Sequence, residues 1–108
     1  MTFQLGAALL DACVLAVLDK GDEYGYALTQ KIKEVVAVSE STLYPVLRRL
    51  QKDNLLSTYD NQINGRNRRY YAISDIGKIK LSGYVSEWVV YKKNLDEILF
   101  GGIADGQE

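Results

Sequence analysis

The segment covering residues 39–50 constrains the fold most, because it has two chemically different faces at the spacing of an α-helix. At about 100° per residue, its apolar side chains fall on one stripe, formed by Leu43, Val46, Leu47 and Leu50. The opposite stripe carries hydroxyl, aromatic and basic groups, namely Ser41, Tyr44, Pro45, Arg48 and Lys52. A helix of this kind can pack on a small domain while its polar side enters a DNA major groove, so we predict a recognition helix here.

A basic hairpin is predicted to follow this helix. Residues 55–59 and 69–73 have the β-branched and aromatic composition of strands, and Asn64-Gly65 between them is a strong turn signal. We expect a hairpin with a tip of roughly ten residues. Its second half carries Arg66, Arg68 and Arg69. A recognition helix followed by a basic hairpin is typical of a winged helix-turn-helix, and the expected fold class is therefore mainly α with a small β-hairpin.

Composition and charge exclude several other classes of protein. The 108-residue chain has a net charge of −1, but residues 31–69 hold eight cations against four acids, which favours a local basic surface. The chain has no histidine and one cysteine, so we expect no enzyme activity, no metal and no cofactor. No apolar run is long enough to cross a membrane, and the start lacks the basic region of a secretory signal. A cytoplasmic protein is expected.

Three further helices complete the predicted fold. Residues 5–18 are apolar on nearly every helical side, which predicts a helix covered partly by a second chain. A second helix is expected from Tyr24 to Val36, capped by Asp22, with Leu28, Ile32, Val35 and Val36 on its buried stripe. The recognition helix should be capped by Ser39 and continue, kinked at Pro45, to about Asn54. Ser74 should cap a last helix at about residues 75–99.

The last helix carries apolar residues at the alternating spacing of three and four that forms a coiled-coil seam, namely Leu81, Tyr84, Trp88, Tyr91, Leu95 and Ile98. The seam is short, and we expect it to pair with the first helix across a homodimer. The predicted dimerisation residues are Leu9, Cys13, Leu81, Trp88, Leu95 and Ile98. The predicted organisation is a DNA-binding domain over residues 1–74, with residues 5–20 also in dimerisation, a dimerisation helix over 75–100 and a flexible tail over 101–108.

Three sequence blocks resemble the PadR family of transcriptional regulators, specifically its short second subfamily. The blocks are residues 24–26 (Tyr-Gly-Tyr), residues 41–50 and residues 68–77. The resemblance implies a dimeric winged-helix repressor in which the first and last helices form the dimer. It also implies that a proline is tolerated within the third helix. The chain departs from the family in having Asn67 between the wing arginines and no basic residue near Leu5.

The predicted DNA-binding residues are Ser41, Thr42, Tyr44, Pro45, Arg48, Arg49, Lys52, Arg66, Arg68 and Lys31. Each has a plainer interpretation: the first-turn hydroxyls can cap the helix, and the arginines can be solvated surface charges. By strand alternation, only one of Arg68 and Arg69 should face DNA.

Trp88, Tyr84 and Tyr91 suit either a dimer core or a site for a small aromatic effector. The alternative function is a winged-helix module that binds protein without DNA, which the pI of about 5.4 favours slightly.

Overall fold

The described part of the chain forms a winged helix with a long C-terminal helix. The computed structural model describes residues 6–101. The elements, in chain order, are α1 (Ala7–Asp19), β1 (Glu23–Tyr24), α2 (Gly25–Lys33), α3 (Glu40–Lys52), β2 (Leu56–Ile63), β3 (Arg66–Ile73) and α4 (Asp75–Phe100). The predicted fold class is confirmed. Residues 102–108 of the predicted flexible tail, and residue 5 of the predicted first helix, lie outside the described residues.

One apolar core joins the first three helices to the base of the hairpin and the start of α4. Its fully enclosed side chains include Leu15 of α1, Leu28 of α2, and Leu43 and Leu50 of α3. The helix α1 buries one side in this core while Ala7, Ala8 and Ala16 stay exposed. Its cover by a second chain stays a prediction.

Serine caps fix the two helices that matter most for the candidate site, as predicted. The Ser39 side chain accepts a hydrogen bond from the Thr42 amide at 3.2 Å, and the Ser74 side chain accepts one from the Gly77 amide at 3.0 Å. Each bond satisfies an amide that has no partner within its own helix. The helix α3 continues through Pro45 and ends at Lys52.

The second helix differs from its prediction. It begins at Gly25 and ends at Lys33, with no side-chain cap, because the Asp22 carboxylate instead accepts a hydrogen bond from the Tyr59 hydroxyl at 2.7 Å. Val35 lies beyond the helix and is 85% exposed, so it is not a core residue. The helical periodicity of the sequence thus continues about one turn beyond the end of the helix itself.

The hairpin is longer and tighter than predicted. Its strands pair from Leu56 with Ile73 to Ile63 with Arg66, leaving a two-residue turn instead of a ten-residue tip. Asn64 and Gly65 both have positive φ angles, as this tight turn requires. The short strand β1 was not predicted; it pairs antiparallel with β3 and completes a three-stranded sheet.

Close packing at Gly77 joins α4 to the base of the hairpin. A Cβ atom at this position would lie 2.3 Å from the Leu55 carbonyl oxygen and 2.8 Å from the Ile73 side chain. The Ser74 hydroxyl donates to the Asn54 carbonyl at 2.7 Å in the same place. The first turn of α4 is therefore fixed to the domain.

Within residues 6–101, no helix has both the length and the apolar character needed to cross a membrane.

Candidate nucleic-acid interface

The two faces of α3 are separated as the sequence predicts. Leu43, Val46, Leu47 and Leu50 are buried in the core. On the other side, Ser41, Pro45, Arg48 and Lys52 are exposed, and Tyr44 is half-buried against the core. The exposed face therefore combines a hydroxyl, two cations and an aromatic ring on one rigid helix. We call these five residues the α3 face.

The first turn of α3 carries a cluster of exposed hydroxyl groups. The Ser39 hydroxyl oxygen lies 2.9 Å from that of Ser41 and 3.1 Å from that of Thr42. Glu40 points elsewhere, since its carboxylate accepts hydrogen bonds from Gln30 at 3.3 Å and Lys33 at 3.5 Å on α2. This leaves a helix N-terminus with three hydroxyls, an arrangement suited to a phosphate oxygen. The same hydroxyls also cap the helix, so the two interpretations of Ser41 and Thr42 are compatible.

The predicted basic residues differ in whether they form an ion pair within the protein. Within residues 6–101, Arg48, Lys52 and Arg66 form no ion pair. Lys31, in contrast, pairs with Glu23, an interaction that ties α2 to β1. An unpaired surface cation binds a phosphate without first breaking an ion pair within the protein. The first three residues are thus better suited to DNA than Lys31.

The wing presents Arg69 toward the α3 face and Arg68 away from it. Arg69 lies on the same side of β3 as Tyr71, which packs near Tyr44. Burial raises the pKa of Tyr71, and the charges of Arg69 and Arg48 oppose that rise, so both cations lie near the hydroxyl. Strand alternation left open which of Arg68 and Arg69 faces DNA, and the predicted site included Arg68. The two-residue spacing of Arg69 from Tyr71 favours Arg69 instead. Its Nε lies 3.5 Å from Asp60 Oδ1 in an exposed pair.

Arg68 instead belongs to an aromatic ladder on the outer side of the sheet. Its guanidinium lies over the Tyr24 ring, 4.4 Å from the centroid. Tyr70 packs between Tyr24 and Tyr59, at centroid distances of 5.8 and 5.5 Å. The Tyr59 hydroxyl donates to Asp22, a bond that raises the pKa of Tyr59. These interactions connect all three strands and give the wing a fixed orientation.

Arg49 has a partner that the sequence did not reveal. Its guanidinium donates two hydrogen bonds to the Asp11 carboxylate of α1, at 3.0 Å from Nη1 to Oδ2 and 2.6 Å from Nη2 to Oδ1. This bond is the main reason that the pKa of Arg49 is raised. Arg49 therefore differs from Arg48 in having a carboxylate partner within the protein, and its contact with DNA stays a prediction.

The predicted dimerisation and effector residues occupy different environments. Leu81 is buried in the core of the subunit, so the prediction that it lies in a dimer seam needs correction. Tyr84 is half-buried against the same core. Trp88 and Tyr91 are exposed, with ring centroids 6.0 Å apart, and Leu95 and Ile98 are exposed further along α4.

On α1, Leu9 and Cys13 are half-buried, and burial raises the pKa of the Cys13 thiol. Within the described residues, no group of three side chains is arranged to hold a metal ion.

Comparison with known proteins decides the family. The model of the transcriptional regulator PadR-like family matches residues 14–83, from the second turn of α1 to the first half of α4. The chain belongs to this family. Members of the PadR-like family are transcriptional regulators that act through DNA and are not enzymes.

Solved structures and a curated relative agree with this assignment. This PadR-like chain is similar to smu.1704 from Streptococcus mutans, with 42% identity and a TM-score of 0.86 over 94% of this chain and 95% of the other. It is also similar to a PadR-like transcriptional regulator from Bacillus cereus, with 30% identity and a TM-score of 0.80 over 86% and 93% of the chains. A transcriptional regulator of Mycobacterium tuberculosis, Rv3488, shares 38% identity over 60 residues, or 55% and 56% of the chains.

Proposed function

We propose that this PadR-like regulator is a cytoplasmic repressor that binds a palindromic operator as a homodimer. The observation that carries the proposal is the α3 face, on which Arg48 and Lys52 are unpaired among the described residues. Arg69 of the wing and Arg48 both lie near Tyr71. In a two-fold dimer, the two copies of α3 would enter successive major grooves, about 34 Å apart. The wing arginines would contact the backbone or minor groove alongside.

Exposed apolar surface on α4 supports the homodimer. From Val85 onward, nine large apolar or aromatic side chains of this helix are exposed: Val85, Trp88, Val89, Val90, Tyr91, Leu95, Ile98, Leu99 and Phe100. Exposed apolar surface of this extent marks an interaction site on a water-exposed protein. Half-buried Leu9 and Cys13 on α1 extend the surface available to a second copy.

The DNA-binding proposal is tested by replacing Arg48 with alanine. We expect specific operator binding to fall by about 5- to 150-fold, since one good arginine contact contributes roughly 1–3 kcal/mol of base discrimination. An operator selected from a random pool and fluorescence anisotropy provide the measurement. Lys78→Ala, an exposed change on α4, is the control. Arg48→Ala with wild-type affinity would refute the role of the α3 face.

We further propose that a planar aromatic effector binds between the two Trp88 rings of the dimer and releases the operator. The exposed Trp88 and Tyr91 rings support this proposal because they offer flat surfaces near the expected two-fold axis. Trp88 is the sole tryptophan, so its fluorescence reports this position directly. Titration with planar cationic dyes should quench the emission. Unchanged emission at high dye concentration would contradict the effector site.

The alternative is a winged-helix module that binds protein and not DNA. The overall charge of −1 and the pI of about 5.4 favour it. Binding to random duplex DNA at low salt separates the two proposals, because phosphate contacts weaken steeply as salt is added. Absence of any binding at low salt would favour the protein-interaction module.

A further inference from the structure

The Asp11–Arg49 ion pair joins α3 to α1 through two parallel hydrogen bonds. Asp11 is only 5% exposed, whereas Arg49 reaches it from the surface of α3. The two residues are 38 positions apart in sequence. Two parallel hydrogen bonds from a guanidinium to a carboxylate fix both distance and orientation, unlike the apolar contacts around them. The pair therefore adds a directional contact between α3 and α1 to the apolar packing of the core.

The same carboxylate is next to α4. The Tyr84 hydroxyl lies close enough to Asp11 for the negative charge to help raise the pKa of Tyr84, after burial as the main cause. Lys80 lies over the Tyr84 ring, 5.3 Å from its centroid. One buried carboxylate thus lies where α1, α3 and α4 meet. Two of these helices, α1 and α4, are the ones proposed to form the dimer.

We propose that Asp11 is a positioning residue that fixes the recognition helix relative to the dimer helices, and thereby sets the spacing between the two operator half-sites. This inference rests on the proposed function. In a dimer, a small rotation of α3 against α1 and α4 changes the separation of the two α3 helices. Because successive base pairs are about 3.4 Å apart, a shift of that size changes which half-site spacing fits. Arg49 acts through Asp11 and not through DNA.

The adjacent arginines provide a matched comparison. Arg48 lies on the α3 face, and Arg49 is held by Asp11, so Arg48→Gln and Arg49→Gln make the same chemical change one position apart. Arg49→Gln leaves a buried carboxylate without its partner, which can unfold the domain. The double variant Asp11→Asn/Arg49→Gln removes both charges together; asparagine keeps the size of Asp11, and glutamine is a shorter polar side chain than Arg49. Circular dichroism of each variant first confirms that it is folded.

Binding is then measured on the selected operator and on versions with the half-sites one base pair closer or further apart. For the double variant, we expect the preference for the natural spacing to fall by roughly tenfold, within the range typical of coupled residues. The slope of log affinity against log salt should stay unchanged. Arg48→Gln should weaken binding at every spacing and reduce that slope by about 0.9 for each phosphate that the protein no longer neutralises. A double variant that keeps its spacing preference would overturn the positioning role, as would one that reduces the slope.

A measurement without DNA separates this inference from the proposed function. A nitroxide label at Lys52→Cys, with Cys13 replaced by serine, reports the distance between the two α3 helices of a dimer. The Asp11→Asn/Arg49→Gln change should broaden or shift that distance distribution. An unchanged distribution would overturn the positioning role, whatever the DNA result. If the wild-type protein binds no duplex DNA and the double variant still broadens the distance distribution, the proposed function is overturned and the positioning role is not.

Discussion

The helices α3 and α4 both have apolar stripes, but the subunit covers only one of them. The 13-residue α3 buries four large apolar residues in the core. The 26-residue α4 buries only Gly77 and Leu81, both in its first two turns. After Tyr84, its apolar side chains are exposed, with Ile98 at 77%.

The difference shows that the packed domain ends at about Tyr84, although the helix continues to Phe100. The residues up to that point have their apolar partners within one chain. Beyond it, the large apolar side chains stay exposed apart from contacts along the helix such as that of Trp88 with Tyr91. Most of the stability of a helix in a protein comes from tertiary packing, which this half lacks. The second half of α4 is therefore expected to require a partner, whereas the first half does not.

The largest effect should come from placing charges on the uncovered stripe. In Leu95→Asp/Ile98→Asp, a dimer would have to bury carboxylates without partners, at a cost of several kcal/mol. We expect dimer dissociation to become easier by at least about a hundredfold, since each 1.4 kcal/mol is a factor of ten. Light scattering after size exclusion measures the mass. Lys93→Asp, on an exposed polar position of the same helix, is the control. A double variant that stays dimeric would place the interface elsewhere.

The comparison is sharpened by truncating one leucine on each side of Tyr84. Leu81→Ala should lower the free energy of unfolding by roughly 2–5 kcal/mol, because it opens a cavity in the core of the subunit. Its effect should not depend on protein concentration. The destabilisation by Leu95→Ala should be largest at low protein concentration, where the dimer dissociates. Thermal melts over a wide concentration range distinguish the two. The same concentration dependence for both variants would show that Leu81 and Leu95 are covered by the same kind of contact.

A smaller effect is expected from adding one methyl group at each of two glycines of α4. Gly77→Ala should cost about 1–3 kcal/mol, because the new Cβ would overlap the Leu55 carbonyl. Gly83→Ala meets no atom within 4 Å and should stabilise the helix by up to about 1 kcal/mol. Chemical denaturation measures both. Equal stability of the two variants would mean that the start of α4 is not held as tightly as its packing indicates.

Much of the fold could be predicted because local signals determine it. Ser39 and Ser74 mark the starts of α3 and α4, and the periodicity of α3 identifies its buried side. Asn64-Gly65 identifies the turn, but the polar residues beside it concealed that the strands run up to it. Strand β1 was missed because its two residues are strands only through pairing with β3.

The candidate site was predictable in outline and not in its details. The α3 face follows from helical periodicity alone. The partner of Arg49 does not, because Asp11 is far away in sequence and lies in a segment that otherwise looks apolar. In the same way, the coiled-coil spacing identifies Leu81 and Leu95 as one stripe but cannot say that the subunit itself covers the first. Which surface covers an apolar stripe depends on tertiary packing, which spacing does not encode.

The close packing around Gly77 holds the start of α4 in place, so that force on the far end of the helix reaches the domain. At 1.5 Å per residue, the portion of α4 from Tyr84 to Phe100, beyond the packed domain, is a rod of about 24 Å that is held at its first end. A tilt of about 5° where the helix leaves the domain would displace the far end by roughly 2 Å. A molecule bound against the side chains at that far end would therefore tilt the helix and transmit force to the base of the wing.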